Sequence, residues 1–249
     1  DIDCDPEEYK PNYLTRLCPP IESDKTLDLA GYTLKKTGNS IDSQDHLLSV
    51  QYSKLTIEDS VGTGKMYFYA KDVAQNLFLA ENRSTIVING GTFCYTGTNA
   101  MYCEMIKLSA SDLVINDGYF DAQIGTPIKL DNGFAGKQRT LNSTVLINGG
   151  TIVTTSSIAL SSIDGCDYYA SLVMTGGTIT NKSKGKVTGS TGAVISDPYF
   201  VRVTSDEALQ KKYYNITLLG GTMPLSPNDI NVYYPADKAV LTSKAGTIT

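Results

Sequence analysis

The residues of this chain that could do chemistry are its carboxylates, a single histidine and five cysteines. Polysaccharide-cleaving enzymes bring two or three carboxylates, or calcium-binding carboxylates and a basic residue, to one surface. The acids predicted to point outward here fall on different faces or turns: Glu58, Asp117, Asp121 and Asp131. His46 has no serine or cysteine in phase with it to activate, which predicts an ordinary residue at a strand edge. The sequence favours a protein that is not an enzyme, and no cofactor or metal is expected.

The cysteines offer two candidate disulfides. Cys4 and Cys18 bracket a proline-rich segment with little apolar content, and a disulfide would hold that segment in place. Cys94 and Cys103 could close the short loop between them. Zinc is the competing interpretation, but the chain has no Cys-x-x-Cys pair and only one histidine. Free thiols in a reducing compartment are the alternative for both pairs.

Four Asn-x-Ser/Thr sequons are candidate glycosylation sites: Asn82, Asn142, Asn181 and Asn215. The chain is rich in serine, threonine and asparagine, so such matches also arise by chance. They matter only in a host that glycosylates asparagine.

A repeated element must position all of these residues. The motif Ile88–Phe93, which reads Ile-Asn-Gly-Gly-Thr-Phe, returns in altered forms along most of the chain. A recurring period of this size indicates stacked supersecondary units. Aligned on the last apolar residue before the turn, the copies lie 28, 31, 27, 32, 27 and 44 residues apart, at Leu29, Ile57, Ile88, Ile115, Ile147, Met174 and Leu218.

Each unit predicts three short strands. An alternating apolar run ends at the anchor residue, and period-two alternation indicates a strand with one face in the core. The glycine pair then allows a sharp bend. A second strand follows, with these inward residues: Phe93, Phe120, Ile152 and Ile179. A third apolar run completes most units: Leu48/Val50, Leu77/Leu79, Ile106/Leu108, Ile128/Leu130 and Ile158/Leu160. The predicted fold is an all-β parallel β-helix, or β-solenoid, of about seven coils.

The repeat resembles a known family. A short β-run, Gly-Gly-Thr-Phe and another β-run are similar to the right-handed parallel β-helix repeats of bacterial cell-surface and adhesin-like proteins. Residues 27–34 and 55–64 look like the opening coils of that group, and the resemblance covers roughly residues 21–249. It implies a pectin-lyase-like fold, which also occurs in phage tailspikes. Such a chain is expected at a cell or virion surface, as a structural or adhesive protein. The alternative is a carbohydrate-active β-helix, either a tailspike-like depolymerase or a polysaccharide lyase.

Composition and length fit one folded domain with an appendage. Residues 1–20 carry no repeat and are expected to be a cap or linker, while 21–249 form the β-helix with an irregular insertion at 181–214. A net charge of −5 and a pI near 4.9 argue against nucleic-acid binding, which needs a basic face. The chain has no apolar run of about 18 residues, so no membrane span is expected.

One row of outward residues is aliphatic on four successive coils: Val87, Val114, Leu146 and Val173. The matching position in the outer coils is polar, at Asp28, Thr56 and Thr217. Localised apolar patches mark interfaces, although β-branched residues also simply favour strands. We expect the row to be covered by another copy of the chain in a trimer or filament, by a different surface or virion subunit, or by the 181–214 excursion. A glycan is a further candidate ligand.

Overall fold

A computed structural model describes residues 2–3, 20–38, 45–72, 74–98, 103–131, 143–161, 169–183, 187–188, 194–196, 201–204, 213–223, 232–233, 239–243 and 247–248. Every regular element in those ranges is a β-strand. The strands form three parallel sheets, and successive strands of each sheet come from successive coils. The chain is therefore a parallel β-solenoid with three strands per coil, which confirms the fold predicted from the repeat.

The three sheets follow the order of strands within a coil. Sheet I holds the first strands: Lys25–Asp28, Lys54–Glu58, Thr85–Ile88, Asp112–Ile115, Ser143–Ile147, Tyr169–Met174, Tyr213–Leu218 and Ala239–Ser243. Sheet II holds the second strands: Ile2–Asp3, Thr33–Thr37, Lys65–Ala70, Thr92–Gly97, Tyr119–Ala122, Thr151–Thr154, Thr178–Asn181, Thr222–Met223 and Thr247–Ile248. Sheet III holds the third strands: His46–Gln51, Asn76–Glu81, Glu104–Ser109, Thr126–Asp131, Ile158–Ser161, Val201–Thr204 and Val232–Tyr233.

The inward row of sheet I is a continuous aliphatic ladder. Ile115 pairs with Ile88 on one side and with Ile147 on the other, and Ile147 pairs with Met174. All four side chains are at most 1% exposed. Successive side chains of a strand point to opposite faces, so one residue in two is buried. This burial pattern explains why apolar residues occupy every second position in the sequence of these strands. The predicted register of these four residues is confirmed.

Aromatic rings fill the middle of the solenoid. Phe93 stacks on Phe120 of the next coil with ring centroids 4.7 Å apart, and Phe78 of sheet III meets Phe93 at 5.8 Å. Phe68 stacks on Tyr95 at 6.0 Å. Close ring pairs of this kind add stability beyond the area they bury. The aromatic stack thus joins sheets II and III across the core.

The Gly-Gly turn is required by close approach between coils. Gly177 adopts φ +81°, and a Cβ placed there would lie 2.7 Å from the Gly149 carbonyl oxygen. Gly150 has φ +80°, and its Cβ would lie 2.7 Å from the Gly118 oxygen. Side chains other than hydrogen are therefore disfavoured by both conformation and space. The recurrence of glycine follows from the stacking distance of the coils.

The asparagine before the glycines forms a ladder along the outside of this turn. The Asn116 side-chain amide donates to Asn89 Oδ1 at 2.8 Å, and the Asn148 amide donates to Asn116 Oδ1 at 2.9 Å. The ladder ends at Glu58, which accepts from Asn89 at 3.4 Å, and at Thr175, which donates to Asn148 at 2.7 Å. Each of the three asparagine side chains both donates and accepts a hydrogen bond, so the repeated asparagine links neighbouring coils.

Two predicted registers are wrong. Leu27, not Leu29, pairs with Ile57. The turn at 29–32 is longer than the three-residue turn at 89–91, and Leu29 belongs to that turn, where its side chain is buried. In sheet III, Phe78 and Ala80 occupy the rungs assigned to Leu77 and Leu79, since Phe78 pairs with both Leu48 and Ile106. All six residues of the Asn76–Glu81 strand are buried, so its sequence carries no alternation from which the inward face could be read.

Parts of the predicted cap and insertion take part in the sheets. Ile2–Asp3 pairs with Leu34–Lys35 at one end of sheet II, while residues 4–19 lie outside the described ranges. Within 181–214, Val187–Thr188 and Val194–Ser196 form an antiparallel pair. Val201–Thr204 then returns to sheet III beside Ile158–Ser161. The long spacing between repeats thus contains both an inserted pair of strands and the third strand of its coil.

Candidate interaction surface

The four aliphatic residues predicted to form an outward row lie in register on sheet I. Val114 pairs with Val87 and with Leu146, and Leu146 pairs with Val173. All four are partly exposed, whereas their neighbours along each strand are buried. We call these four residues the aliphatic row: Val87, Val114, Leu146 and Val173.

The aliphatic row is bounded by polar residues at both ends. Thr56 precedes Val87 in the ladder and Thr217 follows Val173. The corresponding residue in the first coil is Thr26, which pairs with Thr56, so the prediction of Asp28 at this position is wrong. Asp28 instead ends the Lys25–Asp28 strand, and its carboxylate accepts hydrogen bonds from the Ala30 and Ser60 backbone N–H groups at 2.9 and 3.0 Å. The patch therefore covers four coils.

Polar side chains flank the row on both sides, and all of them except Asp112 are neutral. One flank is the asparagine ladder. The other carries these outward residues, which pair in register: Thr85, Asp112, Thr144 and Ser171. Asp112 Oδ1 accepts the Thr144 amide at 2.7 Å. Burial raises the pKa of the Asp112 carboxyl, and the Thr144 amide opposes that shift. Within these four coils of sheet I, the described outward face carries one acidic residue and no basic one.

Sheet II presents a second, different outward surface that the sequence analysis did not identify. Lys65, Tyr67 and Tyr69 point outward from one strand, because Met66, Phe68 and Ala70 between them are buried. Lys35 Nζ lies 5.8 Å from the centre of the Tyr67 ring. Burial, and then the neighbouring Tyr69, raise the pKa of the Tyr67 hydroxyl. The alternation of tyrosine with core residues was the available signal.

The same surface continues onto the next coils. Tyr67 pairs with Cys94, and Cys94 pairs with Asp121. Asp121 Oδ2 accepts from the Gln123 side-chain amide at 2.9 Å. Tyr119 lies on the same strand as Asp121 and is 42% exposed. Aromatic rings, one carboxylate and lysine ammonium groups thus share one face of sheet II.

The predicted Cys94–Cys103 disulfide is not formed in the structure. Both residues are free thiols: Cys94 is partly exposed on the outward face of sheet II, and Cys103 is buried. The Cys103 thiol donates to the Asp72 carbonyl oxygen at 3.3 Å. Burial raises the pKa of both thiols, with Asp121 adding to the effect at Cys94. Cys4, Cys18 and Cys166 lie outside the described residues.

The acids considered for catalysis lie on separate parts of the coil. Glu58 ends a strand of sheet I, Asp121 lies on sheet II and Asp131 ends a strand of sheet III. Asp117 lies in a turn, where its carboxylate accepts the Gly118 amide at 2.7 Å. His46 begins the His46–Gln51 strand but is only 1% exposed, so it belongs to the interior.

The candidate glycosylation sites have different surroundings. Asn82 is partly exposed with φ +59°, and the hydroxyl of Ser84 in the same sequon is buried against the Val50 and Glu81 carbonyl oxygens. The Asn181 side-chain amide donates to the Ser156 carbonyl oxygen at 3.3 Å. Asn215 lies in the Tyr213–Leu218 strand, and Asn142 is outside the described ranges. Glycosylation stays a prediction at all four.

Neither a metal-binding cluster nor a membrane-spanning helix is present among the residues that the structure describes. No group of three or more His, Cys, Asp and Glu side chains in them is arranged to hold a metal ion. None of their elements is a helix with the length and apolar character needed to cross a bilayer. Comparisons with protein-family models, with curated proteins and with solved structures gave no match.

Proposed function

We propose that this protein is a structural or adhesive β-solenoid, displayed at a cell or virion surface, that acts through its faces and associates with further copies of itself. The observation that carries the proposal is the aliphatic row, which repeats once per coil over four coils. Apolar side chains left in water forgo about 1.5–3 kcal/mol each relative to full burial. Part of that free energy becomes available when a partner covers the row.

A second copy of the chain is the partner that fits the face best. Parallel strands at a regular spacing present a flat, repeated surface, and two such surfaces can meet around a two-fold axis with the same residues on each side. Like charges oppose self-association, but among the described outward positions of the sheet I strands in these four coils the one charged side chain is Asp112, whose carboxylate accepts a hydrogen bond from the Thr144 backbone N–H. The low charge of the face therefore favours a copy over an oppositely charged partner.

The size of the patch sets the expected strength of association. Four coils at a spacing of about 4.8 Å, with four-residue strands at about 3.3 Å per residue, give a face of about 19 by 13 Å. Stable interfaces bury about 800 Å² on each partner. The aliphatic row alone is smaller than this, so we expect reversible, concentration-dependent association that gains area from the flanking polar rows.

Sedimentation velocity over a range of protein concentrations tests the proposal. The average mass is expected to rise with concentration and to fall to that of one chain when Val114 and Leu146 are both replaced by lysine. The matched control is Thr151→Lys with Thr178→Lys, which adds the same charges at paired outward positions of sheet II. Equal loss of association in both double variants, or a wild type that stays monomeric throughout, would contradict self-association through sheet I.

Carbohydrate recognition or cleavage is a second candidate function, and the outward face of sheet II is the observation that favours it. Tyr67 and Tyr69 offer aromatic surfaces, and Lys65 and Asp121 offer charged groups for hydroxyl or acidic groups of a glycan. Incubation with a panel of polysaccharides separates the candidates. Release of reducing ends or unsaturated products would establish an enzyme. Binding without turnover that is lost in Tyr67→Ala would leave an adhesive protein with a glycan ligand.

A further inference from the structure

An ion pair is buried in the solenoid core near its N-terminal end. Lys36 Nζ lies 2.6 Å from Asp45 Oδ1, and both side chains are 1% exposed. Lys36 Nζ also donates to the His46 carbonyl oxygen at 2.8 Å, and the His46 amide donates to Asp45 Oδ1 at 2.9 Å. Fully buried charges are uncommon, because removing both from water costs several kcal/mol per ion. The aliphatic row and the sheet II face play no part in this arrangement.

The fold fixes the positions of both Lys36 and Asp45. Lys36 takes an inward position of sheet II, in register with Phe68 of the next coil, and Phe68 pairs with Tyr95 of the coil after that. Both aromatic residues are fully buried. The Asn76 backbone N–H donates a hydrogen bond to the Asp45 carbonyl oxygen at 3.0 Å, and this bond connects Asp45 to the next coil of sheet III. Lys36 and Asp45 therefore meet where sheets II and III of one coil are joined.

We propose that Lys36 and Asp45 condense to form an intramolecular isopeptide bond that locks the first coil. The pair has the geometry of reactants held together. Because Nζ contacts Oδ1 at 2.6 Å, the carboxyl carbon, one bond further on, lies within reach of the nitrogen. Reacting atoms held at about 3–3.5 Å are positioned for attack without the entropic cost of an encounter. The site is also closed to solvent, which disfavours the reverse hydrolysis.

The reaction balances without any further reagent. A proton moves from the Lys36 ammonium to the Asp45 carboxylate, which gives a neutral amine and a neutral acid. The Nζ lone pair attacks Cγ, and the negative charge develops on Oδ1, where the His46 amide already donates a hydrogen bond. The C–Oδ2 bond then breaks. The oxygen leaves as water with the two protons that the ammonium has lost, and the amide nitrogen keeps one.

A permanent ion pair is the competing outcome, and the two differ in energy as well as in mass. The ion pair retains two desolvated charges, whereas the amide is neutral and removes that penalty. An amide between positions nine residues apart also closes a covalent ring around the segment that joins sheet II to sheet III. Mechanical force or a protease acting on this end of the solenoid could then not fully extend the segment between positions 36 and 45.

The mass of the intact, denatured protein is the first test. The proposal predicts a mass about 18 Da below that of the sequence, the loss of one water. Replacement of Lys36 by arginine, which keeps the charge but cannot form this amide, is expected to restore the sequence mass. Asp45→Asn is expected to lose ammonia instead, about 17 Da. A wild-type protein at its full sequence mass would overturn the proposal, whatever the variants do.

Peptide mapping locates the bond and removes a trivial explanation. A succinimide at Asp117–Gly118 would give the same mass loss, but hydroxylamine opens it and leaves the isopeptide intact. Trypsin should fail to cut after a modified Lys36, so the expected product is peptide 36–54, lighter by one water, without fragment ions from cuts between positions 36 and 45. Cleavage after Lys36 in all molecules would refute the bond.

The Glu104–Lys129 pair supplies an internal control. Its atoms lie 3.0 Å apart, but Lys129 is 21% exposed. Water access and mobility should prevent condensation there, so peptides carrying the two residues are expected separately. A cross-link between Glu104 and Lys129 with none between Lys36 and Asp45 would show that burial does not select the reacting pair.

Discussion

Truncation of Ile115 tests the assignment of inward and outward faces. Ile115 is 0% exposed and lies in the middle of the sheet I ladder, between Ile88 and Ile147. Ile115→Ala removes three carbon atoms, or about 2.4 kcal/mol at 0.8 kcal/mol per buried carbon. The cavity left behind raises the cost into the range of about 2–5 kcal/mol. Ile115→Val should cost only about 0.5–1.5 kcal/mol.

Val114→Ala is the matched control on the same strand. It removes two carbon atoms from a side chain that is partly exposed, so we expect a cost below about 1 kcal/mol in the isolated chain. Urea unfolding followed by tyrosine fluorescence measures both, since the chain has 16 tyrosines and no tryptophan. Groups of solenoid coils can unfold separately, so a single urea midpoint need not describe the whole chain. Hydrogen exchange of the backbone amides in the Ile88 and Ile147 strands should therefore be measured together with the urea midpoints. A larger loss for Val114→Ala than for Ile115→Ala would mean that the faces are reversed.

Three further predictions concern the turns and a thiol. Gly177→Ala should lower the melting temperature more than Gly62→Ala: both have positive φ, but nothing lies within 4 Å of a Cβ at Gly62, so the difference measures contact between coils. Equal losses would contradict the close-approach argument. Asn116→Ala removes two hydrogen bonds of the asparagine ladder and should lower the free energy of unfolding, measured by calorimetry, by about 1 kcal/mol. This is less than two full hydrogen-bond contributions because the site is exposed. An unchanged free energy of unfolding would mean that the ladder does not stabilise the fold. Because the Cys94 pKa is raised, its alkylation rate, followed by mass spectrometry, should still be rising at a pH where a free cysteine has levelled off; a plateau at lower pH would contradict this.

The sequence predicted the fold well because each coil repeats one physical requirement. Alternating burial set the strands, and contact between coils required the glycines. The errors came where that requirement is met differently. Leu29 fills the interior from a longer turn, and Phe78 lies in a strand that is buried on both faces. Neither situation leaves a period-two signal.

The interior of the first coil was also missed. Lys36 lies in phase with Phe68 and Tyr95, so the alignment of coils could have placed a lysine in the core. Its partner Asp45 could not have been identified from the repeat, because it lies in the connection to sheet III. Period arguments locate rungs of a ladder, but they do not say which polar residue outside the ladder reaches a buried charge.

Of the two outward surfaces, the sequence predicted one and missed the other. The aliphatic row was found because an apolar residue recurs at a position expected to face water. The sheet II face was missed because tyrosine, cysteine and aspartate share a register there without sharing a type. The Cys94–Cys103 pairing failed because alternation places Cys94 outward between the buried Phe93 and Tyr95. Sequence distance alone took no account of that alternation.

Site-specific photo-crosslinking tests self-association through sheet I most directly. A diazirine-bearing aliphatic amino acid replaces Leu146 in one sample and Thr151, on sheet II of the same coil, in another. Illumination at a concentration where association is seen should give covalent dimers from position 146, joined to sheet I residues of the second copy. Dimers from position 151 but none from position 146 would contradict the account.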